Sequence, residues 1–201
     1  MYVSRILYPV EVLGPGKRIG IWMQGCEHHC PDCSNPELWN QNESCHTDAE
    51  HVIRLIRLIA SEHQVDGFTI TGGDPFYQPD ALRQLFPLLK EISDDILVYT
   101  GYMYEDVPRD ILQHIAVLID GKYIEERNHG EVLRGSDNQR IIILQEKYRS
   151  LYETYTDSPR SRIQNFTTRD GIISVGIHLP GYEEQLKQTT VNMGLEEQKN
   201  G

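Results

Sequence analysis

No apolar run in this chain approaches the ~20 residues a membrane-spanning helix requires. Residues 1–10 also lack the long apolar stretch of a secretory signal. The expectation is therefore a cytoplasmic protein without a membrane partner. Basic residues are in deficit: 19 Lys and Arg stand against 30 Asp and Glu, for a formal net charge of −11. That balance repels polyanions and argues against nucleic acid as a partner. Internal repeats and low-complexity blocks are absent. The chain is 39% hydrophobic over 201 residues, enough for one compact core.

Cysteine is also sparse, with four copies, but three of them stand in one short stretch, Gly25-Cys26-Glu27-His28-His29-Cys30-Pro31-Asp32-Cys33. In a reducing compartment, clustered thiols point to metal rather than to disulfides. The spacing C-x3-C-x2-C lets three thiolates each bind a different iron of a [4Fe–4S] cluster, leaving the fourth iron open to a ligand. Zinc is the rival, with Cys26, Cys30, Cys33 and either His28 or His29 as its four ligands. Structural zinc usually takes two separated pairs, and this sequence has no second pair. Cys45 lies in a polar stretch before a helix start and reads as a free thiol.

Hydrophobic periodicity alternates between strand and helix, which implies a parallel α/β sheet. Strands are expected at residues 17–23, 67–71, 96–100, 116–119 and 140–144. Helices are expected from Thr47, where Thr47-Asp48-Ala49-Glu50 has the form of a capping box, over 79–92 with a kink at Pro87, and over 104–114. Tyrosines near 148–155 suit a surface or interface helix. Residues 161–178 read as two extended segments around Arg169-Asp170-Gly171, a β-hairpin. Its apolar residues are too few for a core of its own, so it should pack on the sheet. The polar tail after Pro180 reads as loosely ordered. Cys26, Gly72-Gly73, Gly101 and Gly121 each follow an expected strand. In open parallel sheets and barrels that places them on one ligand-binding rim.

The cysteine motif after one strand and Gly72-Gly73-Asp74-Pro75 after the next resemble the radical S-adenosylmethionine superfamily. A narrower set of segments is similar to the family that activates anaerobic ribonucleoside-triphosphate reductase. These are Gly14-Pro15-Gly16-Lys17-Arg18, Tyr99-Thr100-Gly101-Tyr102, Asp120-Gly121-Lys122-Tyr123 and Arg134-Gly135-Ser136-Asp137-Asn138-Gln139-Arg140, in family order. Two features depart from the pattern. Asp32 stands before the third cysteine where many superfamily members have an aromatic, and residues 145–201 extend beyond the usual end.

The resemblance implies a partial, open α/β barrel of mostly parallel strands, with a core domain over 1–144 and an extension over 145–201 packed on it. It implies a [4Fe–4S] cluster on Cys26, Cys30 and Cys33, with S-adenosylmethionine chelated at the open iron. A flavodoxin- or ferredoxin-type donor would reduce the cluster. Homolytic cleavage would then give methionine and a 5′-deoxyadenosyl radical, which takes hydrogen from a glycine of the reductase or of another glycyl-radical protein. Gly72, Gly73, Asp74, Pro75 and Thr100 are the cofactor-binding candidates. The two glycines would let backbone groups approach the methionine end, and Asp74 would accept from its ammonium or brace the turn. No protein acid or base is expected to be catalytic. Two alternatives stay open: a radical enzyme acting on another peptide, protein or small molecule, and a zinc- or cluster-bearing interaction protein without turnover.

Overall fold

A computed structural model describes residues 1–157, 163–168 and 171–192. Six strands form one sheet in the order β1 (Val3–Val10), β2 (Arg18–Met23), β3 (Gly67–Gly72), β4 (Ile96–Tyr99), β5 (Val117–Asp120) and β6 (Arg140–Ile143). The four inner strands run parallel, with Ile21 opposite Ile70, Ile70 opposite Val98 and Val98 opposite Leu118. Both edge strands are antiparallel to their neighbours. The sheet is open, so the fold is α/β with a mostly parallel sheet and no closed barrel.

Strand alternation sends successive side chains to opposite faces. Ile19, Ile21, Ile70 and Val98 face one way and meet the apolar stripes of α1 (Ala49–Glu62) and α2 (Pro79–Lys90). Trp22, Leu97, Tyr99 and Ile119 face the other way. That second face is covered by α4 (Arg149–Asp157) and by the hairpin of β7 (Ile163–Thr168) and β8 (Gly171–Gly176). Between α2 and α4 in sequence lies the single-turn helix α3 (Arg109–Leu112), and α5 (Tyr182–Asn192) follows the hairpin.

Several local expectations change. Asp48, not Thr47, caps α1, accepting from His51 N at 2.7 Å. Thr47 is instead held extended, its N–H donating to Met1 O and its carbonyl accepting from the N-terminal ammonium. The helix expected over 104–114 shrinks to one 3-10 turn and the single turn of α3, because Pro108 divides it. Helix α2 runs through Pro87 and stops at Lys90. Tyr152 and Tyr155 are buried rather than at the surface. The chain after Pro180 is not simply loose, since α5 forms there. Tyr182 anchors its start by stacking on His178 and by a 3.1 Å hydroxyl contact to Ser174 Oγ. Arg169 and Asp170 of the expected turn, and the tail from residue 193, lie outside the described residues. No helix among the described residues is long and apolar enough to cross a membrane.

Below the sheet sits a buried polar knot that the sequence did not announce. Arg18 is fully buried and grips both carboxylate oxygens of Asp95, at 2.7 and 3.2 Å. Its remaining donors reach Thr69 Oγ1, Phe68 O and Pro15 O. Tyr152 of α4 donates to Asp95 Oδ1 at 2.7 Å. The fork geometry of the guanidinium explains why arginine fits here and lysine does not.

Candidate active site

Four chain crossings meet at the carboxyl end of the parallel strands. The first is the cysteine loop that leaves β2. Gly25 N and Cys26 N donate to Leu38 O and Trp39 O, at 2.9 and 3.0 Å, which folds residues 26–38 into a closed loop. Gly25 takes φ +97°, where a side chain would collide with the ring of Tyr77. His29 and Asp32 adopt positive φ and turn the loop back on itself. Such a conformation is uncommon outside glycine.

The second crossing is the end of β3. Gly72 has φ +119°, and a Cβ there would lie 2.3 Å from Met23 O. At Gly73 a Cβ would lie 2.5 Å from Gly25 O and 2.8 Å from Leu38 O. In the direction of a side chain at either glycine, the space is already filled by the backbone that carries the cysteines, while Gly73 itself lines the pocket. Their lack of side chains lets β3 and the cysteine loop pack together.

Asp74 joins three elements. Its carboxylate accepts from Phe76 N at 2.9 Å, Gly101 N at 2.7 Å and Thr100 Oγ1 at 2.9 Å. His28 Nε2 stands 3.1 Å away, in contact but not aligned for a hydrogen bond. The backbone of Asp74 donates to Gly25 O. With three donors on its oxygens, the buried carboxylate braces the turn. Pro75 begins the 3-10 turn that Asp74 caps and, like Gly72, does not line the pocket. The third crossing, Thr100-Gly101-Tyr102 after β4, clasps the loop from the far side. Gly101 lies flat against the His28 ring, Tyr102 packs edge-on to it with centroids 4.4 Å apart, and Tyr102 OH donates to Glu27.

The fourth crossing, after β5, brings Gly121 to the rim as its position after a strand implied, but the part played by Gln139 was missed. Gln139 reaches back, donating to Gly121 O and accepting from Gly135 N and Ser136 N. Its side chain thereby closes the Arg-Gly-Ser turn beside Tyr123. Asp120, fully buried, is paired with Arg140, while Arg134 donates to the carbonyls of Asp137 and Gln139.

Cys26, Cys30 and Cys33 line one pocket with Gly73, Asp74, Thr100 and Gly121. Cys33 Sγ accepts from Asn35 N at 3.4 Å, and nearby backbone N–H groups, of His28 and His29 at Cys26 and of Tyr123 at Cys30, favour the thiolate forms. N–H groups aimed at sulfur stabilise thiolates bound to iron and tune cluster potential. Burial pushes the Cys26 and Cys30 thiols up, so without a cation they hold their protons. A donor set of three soft sulfurs with directed N–H groups fits an iron–sulfur cluster. His28 lines the pocket with its ring against Asp74, and His29 packs against the ring of Trp39. Among the described residues no three His, Cys, Asp or Glu side chains converge as a single-ion site. Cys45 lies apart in a 3-10 turn and does not line the pocket.

Residues 12–142 match the family described as a 4Fe-4S single cluster domain. A protein of Enterobacteria phage T4 named anaerobic ribonucleoside-triphosphate reductase-activating protein is 34% identical over 143 residues, covering 67% of this chain and 90% of its own. Proteins of the same name from Vibrio cholerae and Escherichia coli K12 are 35% and 31% identical, over 67% and 66% of this chain and 93% and 92% of theirs. The hairpin β7–β8 lies beyond the matched residues.

Proposed function

Because the chain belongs to the family of anaerobic ribonucleoside-triphosphate reductase-activating proteins and carries its 4Fe–4S domain, we propose that it generates the glycyl radical of such a reductase by reductive cleavage of S-adenosylmethionine. The observation that carries this reading is the convergence of three cysteines on a pocket floored by the ends of parallel strands. In this reading Cys26, Cys30 and Cys33 hold the cluster through three irons. When bound, the cluster supplies one electron to the sulfonium, so that the carbon–sulfur bond breaks into methionine and a 5′-deoxyadenosyl radical.

The protein's own part is positional. Gly72 and Gly73 let β3 press against the cysteine loop, and Asp74 ties that loop to Thr100 and Gly101. The floor is thereby fixed before any ligand arrives, the kind of preorganisation on which site chemistry depends. Thr100 faces the pocket with a hydroxyl committed to Asp74, and it borders the place of the bound cofactor. The partial-barrel description extends this reading. The open sheet over 1–144 forms the radical domain, the described residues after 144 pack on it, and the electron donor is of the flavodoxin or ferredoxin type.

The test is direct. Cluster-loaded protein given a strong reductant and S-adenosylmethionine without oxygen should release 5′-deoxyadenosine and methionine in equal amounts, measured by chromatography. Loaded protein that binds S-adenosylmethionine yet leaves it intact under those conditions would remove the radical reading.

A further inference from the structure

The pocket has a wall that the matched part of the chain does not supply. Residues 174–178, from β8 and the segment after it, line the same space as Cys26, Cys30 and Cys33. Three fasteners hold that wall. Gln164 of β7 clamps the edge strand β1: its Nε2 donates to Pro9 O at 2.7 Å and its Oε1 accepts from Glu11 N at 3.0 Å. Val175, 3% exposed, plugs into the apolar cluster of Val10, Trp22 and Leu38. Asn128 is the third and is itself buried. One amide nitrogen donates both to His178 O, at 2.7 Å, and to Tyr123 OH, at 3.1 Å, while its oxygen accepts from Gly130 N. Tyr123 lines the pocket together with Cys30. The exit of the hairpin is thus tied to a residue of the cysteine pocket.

We propose that this hairpin is a resident, specificity-determining wall of the cysteine pocket. In the free protein it admits small molecules to the cysteines and excludes bulky ones, and Asn128 and Gln164 are the positioning residues that keep it shut. The inference rests on the cysteine pocket described above and on no step of the radical chemistry. A two-stranded hairpin is marginal by itself. Its closure therefore depends on these few contacts, and loosening them opens the pocket without unfolding the sheet.

Thiol labelling of the cluster-free full-length chain tests the proposal, with each cysteine followed by peptide mass mapping. Iodoacetamide is the small probe and a polymer-tailed maleimide the bulky one. The ratio of the two rates at each site cancels intrinsic reactivity, and Cys45, outside the pocket, is the internal reference. In the native chain the bulky-to-small ratio should be about tenfold lower at Cys26, Cys30 and Cys33 than at Cys45. Combining Asn128→Asp with Gln164→Ala removes the donors to His178 O and Pro9 O and should raise the pocket ratios about tenfold, with Cys45 unchanged. Equal ratios at all four cysteines of the native chain would overturn the proposal whatever the variant does. Pocket ratios unmoved in the variant, with far-ultraviolet circular dichroism native, would overturn the roles of Asn128 and Gln164. Labelling needs neither cluster nor S-adenosylmethionine, so its outcome stands apart from the fate of the radical reading.

Discussion

Protein purified without oxygen should be brown and carry about four irons and four sulfides per chain, whereas Cys26→Ala, Cys30→Ala and Cys33→Ala should each be colourless with iron near zero. Three ligands are the minimum that a site-differentiated cluster tolerates, so loss of any one removes the group rather than weakening it. Cys45→Ala should keep its iron, because Cys45 does not line the pocket. Gly73→Val should lose iron as well, although it removes no ligand. A side chain at that position would press on Gly25 O and Leu38 O, both of them backbone atoms of the cysteine loop. Iron and sulfide analysis with visible absorption reads all five variants. A pocket-cysteine variant that keeps a full cluster, or native protein that is colourless and holds stoichiometric zinc, would reject the assignment.

The second large effect is on stability. Asp95→Ala should destabilise the fold by about 3–5 kcal/mol, because it strands the Arg18 guanidinium in a buried site with its main acceptor gone. Tyr152→Phe should cost about 1–3 kcal/mol, since it removes the hydroxyl from Asp95 Oδ1 and leaves a buried acceptor less well satisfied. The paired change Arg18→Met with Asp95→Leu should be milder than Asp95→Ala, because no charge is then left uncompensated. Denaturant midpoints of the cluster-free protein measure all three. An Asp95→Ala midpoint equal to that of the native chain would mean that the knot contributes nothing to the fold.

The parallel strands were legible because each is a short β-branched run ending in glycine or a polar turn, and their alternation assigns both faces of the sheet. Strand β1 was not legible. Pro9 interrupts its pattern, and its residues are only partly buried on the sheet edge, so the apolar signal is weak. The cysteine loop and the gathering of strand ends on one rim could be read from spacing, since thiols so close in sequence have few other uses. Gly73 and Asp74 line the pocket with the cysteines, but their partners could not be foreseen. Which backbone atoms fill the space beside Gly73, and which donors surround Asp74, depends on loops brought together from residues 25, 38 and 101. Arg18 illustrates the same limit. Nothing local marks it as buried, because its partner lies 77 residues away in sequence. Asn128 and Gln164 carry no motif at all, and their roles exist only once the hairpin is docked.

Electron paramagnetic resonance on the reductase itself tests the central claim most directly. Cluster-loaded protein, S-adenosylmethionine, a strong reductant and the cognate anaerobic reductase are mixed without oxygen. The expected result is a glycine-centred doublet on the reductase that changes when the glycine α-position is deuterated. Cleavage of S-adenosylmethionine with no such doublet would contradict the account and assign the radical to another peptide, protein or small molecule.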